Sequence, residues 1–387
     1  MIRAGVTVAR LNFSHGTHAS HRKLARHVRQ ASRLAKRNVA LLADLQGPKI
    51  RLGDLKEEQR VQKGDVVTLP LSTSGLSRFL KKGTRVLIDD GKIEAVYQSG
   101  RGNHFTIKMQ TSGVFSSHKG VAFPGRHLPS VRAFTDEDKR DLLFALDLGV
   151  DWVVVSFVTH PDDVREVQAF IKKHAVSTRR PSVMAKVERA KAVERFLVAT
   201  HLLESMSYSP VPTRAELSDV ANAVIDHTDA VMLSGETASG AYPVETVQMM
   251  ADIVRETEAS CYNDVLPRLQ KRASRETTLA LILAELALLG RVQSIAIHER
   301  DAAMAWKLLP YRPEVPIFLM SPDARWLSKE LIRWGIVPVR VPSGLKPEDT
   351  AAIARLLRKE GQVAKGHTVT VVHRQSTQPT FTTHRVL

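Results

Sequence analysis

One cysteine, Cys261, stands in a chain of 387 residues. An intrachain disulfide is therefore excluded, and such thiol usage fits a reducing compartment. No apolar run approaches the roughly 18 residues that a membrane-spanning helix needs. No secretory leader pattern is found either. Aromatic residues are few, at 5%, and they form no recognisable base-stacking platform. Short-period repeats and low-complexity segments are also lacking, which excludes solenoids and arrays. The expectation is a soluble cytoplasmic protein without a membrane partner.

Acidic residues are outnumbered. Lys and Arg number 56 against 40 Asp and Glu, a net charge of +16. That excess suits nucleic acid, an anionic membrane surface or small anionic substrates. Its densest stretch, HRKLARHVRQASRLAKR at 21–37, has helical spacing with Leu24, Val28, Ala31, Leu34 and Ala35 as the expected apolar stripe. The bland reading of that run is a solvated helix face. A nucleic-acid role rests on charge alone, with no binding motif beside it. Apolar residues make up 43%, enough for a packed core rather than disorder. The length suggests two or three domains.

Apolar strands alternate with amphipathic helices in two regions. VALLAD, GVDWVVVSFV, PSVMAKVE and DAVMLSGE read as strands of a parallel α/β architecture. Residues 54–120 differ, with short strands broken by Gly and Asp turns, an all-β insert. From residue 277 the helix–strand alternation resumes through SIAIH, PIFLMS, WGIVPVRVP and HTVTVVH. The expected division is 1–53 and 121–258 for one α/β unit, 54–120 for the β insert, 259–276 for a linker and 277–387 for a C-terminal α/β unit.

In parallel α/β folds, chemistry gathers beyond the carboxyl ends of the strands. The first strand delivers Arg10, Asn12, Ser14 and His15 there, and the next delivers Asp44, Lys49 and Arg51. Later strands deliver Ser156, then Lys186 with Glu188, then Thr200, then Ser234, Glu236 and Thr237. Singly, a strand-end Arg or Asp is most simply a structural ion pair. Lys186 in an apolar strand is less ordinary, because an unpaired buried ammonium is unfavourable; a pair with Glu188 or Asp44 is its bland reading. Together, cations, carboxylates and hydroxyls suit a phosphate-bearing substrate with a divalent metal, since phosphoryl transfer needs charge stabilisation above all.

The blocks LNFSHG, DLQGPKIRLG, KGVAFPG, AKVERAKAVERF, ATHLLESM, PTRAELSDVANAV and DAVMLSGETASGAYPVE occur in order along the chain. In this succession the sequence resembles the pyruvate kinases over nearly its whole length. The resemblance implies a (β/α)8 TIM-type barrel, here incomplete, with an inserted all-β lid and a C-terminal α/β domain. It implies phosphoryl transfer from phosphoenolpyruvate to ADP, giving pyruvate and ATP in glycolysis. By resemblance Arg10 holds the substrate phosphate, and Lys186 neutralises the phosphoryl group in flight. Thr200 holds the substrate carboxylate and assists proton transfer. Asn12, His15, Arg51 and Lys119 face the nucleotide, and Ser156 lines the substrate site. Glu188 binds Mg²⁺ (or Mn²⁺). Asn12, Ser14 and Asp44 form a monovalent-cation site that the ammonium of Lys49 replaces, so K⁺ is not required. A homotetramer is implied as the assembly.

The sequence departs from the family pattern in three places. It begins inside a family block. AVERF (192–196) runs directly into LVATHLLESM (197–206), where the family carries roughly 45 more residues, about one and a half strand–helix units. Those residues would supply a second Mg²⁺ carboxylate and the amides that hold the substrate carboxylate. Last, the Ser/Thr-Gly effector loop is replaced by HERDAAMAW (298–306), and the loop region at 371–381 has no glycine. No activation by fructose 1,6-bisphosphate is expected. A catalytically impaired paralogue is therefore the alternative to an active kinase.

Overall fold

The computed structural model describes residues 1–48, 50–73, 75–89, 91–124, 134–156, 158, 160–177, 180–186, 197–199, 202–260, 262, 274–375 and 378–386. The chain opens with β1 (Val8–Asn12), α1 (His18–Ala35) and β2 (Ala40–Asp44). Seven short strands follow: β3 (Gln59–Val61), β4 (Val66–Pro70), β5 (Arg85–Ile88), β6 (Ile93–Arg101), β7 (His104–Met109), β8 (Gly113–Phe115) and β9 (Val121–Ala122). The α/β pattern returns with α2 (Asp136–Leu148), β10 (Trp152–Val155), α3 (Pro161–His174), β11 (Ser182–Ala185) and β12 (Leu197–Ala199). It continues through α4 (Arg214–Ile225), β13 (Ala230–Met232), α5 (Gly235–Ala238) and α6 (Pro243–Glu258). The C-terminal part holds α7 (Arg275–Leu288), β14 (Ile295–His298), α8 (Ala302–Leu308), β15 (Ile317–Ser321), α9 (Ala324–Glu330), β16 (Ile336–Arg340), α10 (Thr350–Lys359), β17 (Thr368–Gln375) and β18 (Gln378–Arg385).

Strands β1, β2, β10 and β11 form a parallel sheet in that order, and β12 pairs with β13 in a separate parallel ladder. A closed ring of eight strands is not formed among the described residues. Ring closure ties strand number, tilt and stagger together, and this sequence skips part of the pattern that would supply the strands.

Alternation along each strand divides the side chains between two faces. Leu11, Leu41, Ala43, Val153 and Val155 pack outward against Ala25 of α1, Leu142 and Ala145 of α2, and Val167 and Ile171 of α3. The opposite, inner face carries Leu42, Trp152 and Val154, with Val8, Met184 and Ala230 against them. Helix starts are set by side-chain caps: Thr17 with Ser20, Thr135 with Asp138 and Thr213 with Glu216 each form a reciprocal capping box.

The buried face of α1 differs from the expected stripe. Leu24 and Leu34 are 46% and 74% exposed, and Ala31 is exposed as well. His21 and Ala25 are buried instead, with Val28 packed against the same core. The helix is turned so that a small residue and an imidazole meet the sheet. The imidazole is held there because His21 Nε2 lies 2.9 Å from the His15 carbonyl.

The five strands β4-β7-β6-β5-β9 make an antiparallel sheet, with β3 and β8 paired beside it. Phe105, Ile107, Met109, Val86, Ile88 and Phe115 fill its core. The C-terminal sheet has the order β16-β15-β14-β17-β18, parallel except for β18. Strands β14 and β15 are buried along their whole length, with α7 and α8 packed on one face of the sheet and α10 on the other, as continuous apolar runs require.

Candidate active site

Register gathers the strand-end groups. Arg10 lies opposite Leu42, and Asn12 opposite Asp44. Asp44 lies opposite Val154, and Val154 opposite Met184. Ser156 and Lys186 are the next inner-face positions after Val154 and Met184. Arg10, Asn12, Asp44, Ser156 and Lys186 therefore share the inner face at the carboxyl ends of four neighbouring parallel strands. The ladder holds to that edge: Phe13 donates to the Asp44 carbonyl (3.0 Å), Leu45 to Val154 (3.1 Å) and Lys186 to Val155 (2.9 Å).

Asp44 is buried and accepts from Arg10 Nε at 2.7 Å, with Arg10 Nη2 at 2.6 Å from the same oxygen. Ser156 is buried too. Its hydroxyl lies 2.8 Å from the Leu45 carbonyl and 3.4 Å from Asp44 Oδ1. Ser156 thus steadies the residue pair Asp44–Leu45 at the strand end. Asn12 Oδ1 accepts from the Ser14 amide at 3.2 Å, and the His15 amide donates to the Asn12 carbonyl at 3.1 Å. This turn presents Asn12, Ser14 and His15 just past β1.

Arg51 and Lys119 belong to the approach of the antiparallel sheet. Arg51 Nη1 donates to the His118 carbonyl at 2.9 Å, and Lys119 Nζ lies 3.1 Å from Asp89 Oδ1. Burial pushes the Asp89 carboxyl up, but hydrogen bonds and charge from Lys119 and Lys92 outweigh it and hold it below its ordinary value. Lys49, Glu188 and Thr200 lie outside the described residues, as do the residues up to Phe196 before the skipped segment.

At the end of β13, Glu236 is 2% exposed and accepts from the Ser234 amide at 2.7 Å through Oε2. Glu236 Oε1 and Ser234 Oγ are buried without a hydrogen-bond partner among the described residues. These two strand-end groups carry orphaned polar atoms, a signal the sequence does not display.

A second feature had no sequence signal. A cleft of about 430 Å³ is lined by Phe13, Thr17, His18, His21, Glu137 and Asp141, among others. His18 Nε2 lies 2.7 Å from Asp141 Oδ1, 123 positions away, and the His18 ring stacks on Phe144 at 4.1 Å. Burial raises the Asp141 carboxyl above its ordinary value despite the opposing pull of His18, and burial lowers His21. Only the packing of α1 against α2 brings these groups together.

No three His, Cys, Asp or Glu side chains among the described residues are grouped so as to hold a metal ion. Asp44 is engaged by Arg10. Glu188, the carboxylate that the resemblance assigns to Mg²⁺, lies outside the described residues. No described helix is long and apolar enough to cross a membrane.

The family model "Pyruvate kinase, barrel domain" matches residues 1–197 and 195–247. The chain belongs to the pyruvate kinase family. It is 34% identical to pyruvate kinase 2 of Synechocystis sp., over 88% of this chain and 67% of that one. It is 33% identical to the pyruvate kinase of Corynebacterium efficiens, over 92% and 85% of the two chains. For the pyruvate kinase of Thermococcus litoralis the identity is 30%, over 95% and 90%. The family match comes in two segments that meet at 195–197, where AVERF runs into LVATHLLESM. The Synechocystis alignment spans 407 residues, more than this chain's 387, so that pyruvate kinase has residues with no counterpart here.

Proposed function

We propose that this pyruvate kinase family member transfers the phosphoryl group of phosphoenolpyruvate to ADP, giving pyruvate and ATP. The observation that carries the reading is the gathering of Arg10, Asn12, Asp44, Ser156 and Lys186 on one face at the strand ends. Phosphoryl transfer asks a protein mainly for positioning and for positive charge near the equatorial oxygens. Arg10, aimed by Asp44, binds the substrate phosphate. Lys186 stabilises the charge on the moving group. Thr200 holds the carboxylate and assists protonation of enolpyruvate. Asn12, His15, Arg51 and Lys119 bind the nucleotide, with the antiparallel unit as a lid over it. Glu188 is the remaining carboxylate for Mg²⁺ or Mn²⁺, and Lys49 stands in for K⁺ beside Asn12, Ser14 and Asp44. The active assembly is a homo-oligomer in the cytoplasm.

The second reading is an impaired paralogue. It is favoured by the two-segment family match, because the skipped residues would include a second metal carboxylate. A coupled assay of the purified chain tests both. The expected result is slow turnover, below the ~1 s⁻¹ common among enzymes, lost on Arg10→Ala and unchanged when K⁺ is added to a K⁺-free Tris buffer. Turnover indistinguishable from buffer would favour the impaired paralogue. A large stimulation by K⁺ would remove Lys49 from its role.

A further inference from the structure

The inner face of the four-stranded sheet is covered from beneath by the C-terminal part of the chain. Ile332, in the connection between α9 and β16, is 7% exposed and shares a buried cluster with Leu42, Trp152 and Val154; Val8, Met184 and Ala230 pack against it. Four of these residues have a defined relation to the candidate site. Arg10 is the next inner-face residue after Val8, Asp44 after Leu42, Ser156 after Val154 and Lys186 after Met184. Each of the four strands of this sheet thus stands on a side chain of the Ile332 cluster.

The segment bearing Ile332 is fixed on both sides. The Trp152 indole donates to the Lys329 carbonyl at 2.9 Å, and Lys329 Nζ donates to the Arg180 carbonyl at 2.7 Å. Glu330 pairs with Arg333 at 2.7 Å and accepts from the Trp306 indole at 3.1 Å. The Trp334 indole donates to Glu258 at 2.8 Å, and the Arg312 guanidinium lies 4.4 Å from the Trp334 ring centroid. Ile332 is therefore held as a wedge, not as a loose loop residue. Close-packed interiors transmit displacements because they contain no free volume to absorb them.

We infer that Ile332 is a positioning residue for the candidate active site: it sets the height of the strand layer on which Arg10, Asp44, Ser156 and Lys186 stand. The C-terminal part serves as the floor of the sheet that presents these groups. A change in how it is seated reaches the site through one layer of side chains. The structural inference stands on packing alone; its catalytic consequence rests on the phosphoryl-transfer reading.

Hydrogen exchange in the whole chain tests it. Ile332→Ala is expected to accelerate exchange at least tenfold at the Phe13, Leu45 and Lys186 amides, which close the ladder at the site edge. Exchange within β5, β6 and β7 is expected to stay unchanged. Ile332→Val, which keeps most of the wedge, is expected to restore slow exchange and also covers the case in which the alanine variant does not fold. Leu357→Ala, a buried change on the far face of the C-terminal sheet, is the control for ordinary destabilisation and is expected to spare the site amides. Acceleration spread evenly over the molecule, or an equal effect from Leu357→Ala, would overturn the inference. If the chain turns over, Ile332→Ala is expected to lower kcat tenfold or more with KM within about threefold; the reverse split would also overturn it. If no form turns over, the proposed function fails while the exchange result still decides the role of Ile332.

Discussion

Arg10 and Asp44 stand on neighbouring parallel strands and meet diagonally, with Nε at 2.7 Å and Nη2 at 2.6 Å from a single carboxylate oxygen, Oδ2. The second oxygen, Oδ1, faces the Ser156 hydroxyl at 3.4 Å. Asp44 therefore joins a cation from β1 to a hydroxyl from the end of β10. The guanidinium is aimed before any ligand arrives, which is the kind of preorganisation that electrostatic catalysis uses.

Asp44→Ala is expected to destabilise the chain by about 1–3 kcal/mol, the range for leaving a buried partner unsatisfied. Arg10 is 22% exposed, so water offsets part of the loss and the lower half of that range is expected. Urea unfolding measures it. A change below about 0.5 kcal/mol, typical of surface substitutions, would mean that the pair does not hold the strands together.

Asp151 gives a pH dependence. Burial raises its carboxyl above the ordinary 3.8, outweighing the hydrogen bond from the Leu41 amide and the nearby charges of Arg325, Arg29 and Lys329. The folded state thus favours the protonated form. That contribution is fully present below the unfolded value and is lost as pH rises through the folded one. Asp151→Asn keeps an oxygen for the Leu41 amide and removes the buried charge. The variant is expected to melt higher than the parent at neutral pH, with the gap closing as pH falls towards 3.8. A gap that is constant with pH, or a parent that melts higher, would contradict the burial argument.

Much of this arrangement was legible in the sequence because strands have a period of two. VVVSFV and VMAKVE show apolar residues giving way to a polar one at the strand end, and that pattern put Ser156 and Lys186 on the candidate face. The turn Asn12–Ser14–His15 was legible for the same reason. The buried side of α1 was not. Leu24 and Leu34 looked like core because leucine is apolar, but Ala25 lets the helix approach the sheet and His21 finds a carbonyl partner. Ile332 was illegible as well. Its neighbours Leu42 and Val154 are far away in sequence, and nothing local distinguishes a wedge from an ordinary loop isoleucine. The incomplete ring, by contrast, was legible: AVERF runs directly into LVATHLLESM, and no closed ring of eight strands is formed among the described residues.

Lys186 offers a kinetic prediction. If turnover is measurable, Lys186→Ala is expected to reduce kcat about a hundredfold or more, as loss of a charge-stabilising group does. KM for phosphoenolpyruvate is expected to change far less, because the ammonium acts on charge that develops during transfer. Paired steady-state measurements of the two forms check this. A loss confined to KM would assign Lys186 to ground-state binding instead.

The C-terminal sheet carries the last prediction, on regulation. In open α/β sheets, ligands settle beyond the carboxyl ends of the strands where the strand order reverses. Here that point lies between β14 and β17, with β15 on the other side of β14. Three observations argue against a phosphate there. Asp301 is buried just after β14, and its Oδ1 lies 2.5 Å from Arg374 Nε of β17. Arg374 is thus already engaged by a carboxylate, and an incoming phosphate would have to displace that buried charge. His298, at the end of β14, accepts through Nδ1 from the Arg300 amide at 3.3 Å and caps its own turn. Finally, Gln375 pairs with Gln378 across β17 and β18. Phosphate cradles need several backbone amides turned to one point, whereas these strands are paired with each other as far as Gln375 and Gln378. Fructose 1,6-bisphosphate is therefore expected to give no saturable heat in calorimetry and no change in turnover. Saturable binding that disappears in Arg374→Ala would show instead that the Asp301 carboxylate yields its place to a sugar phosphate.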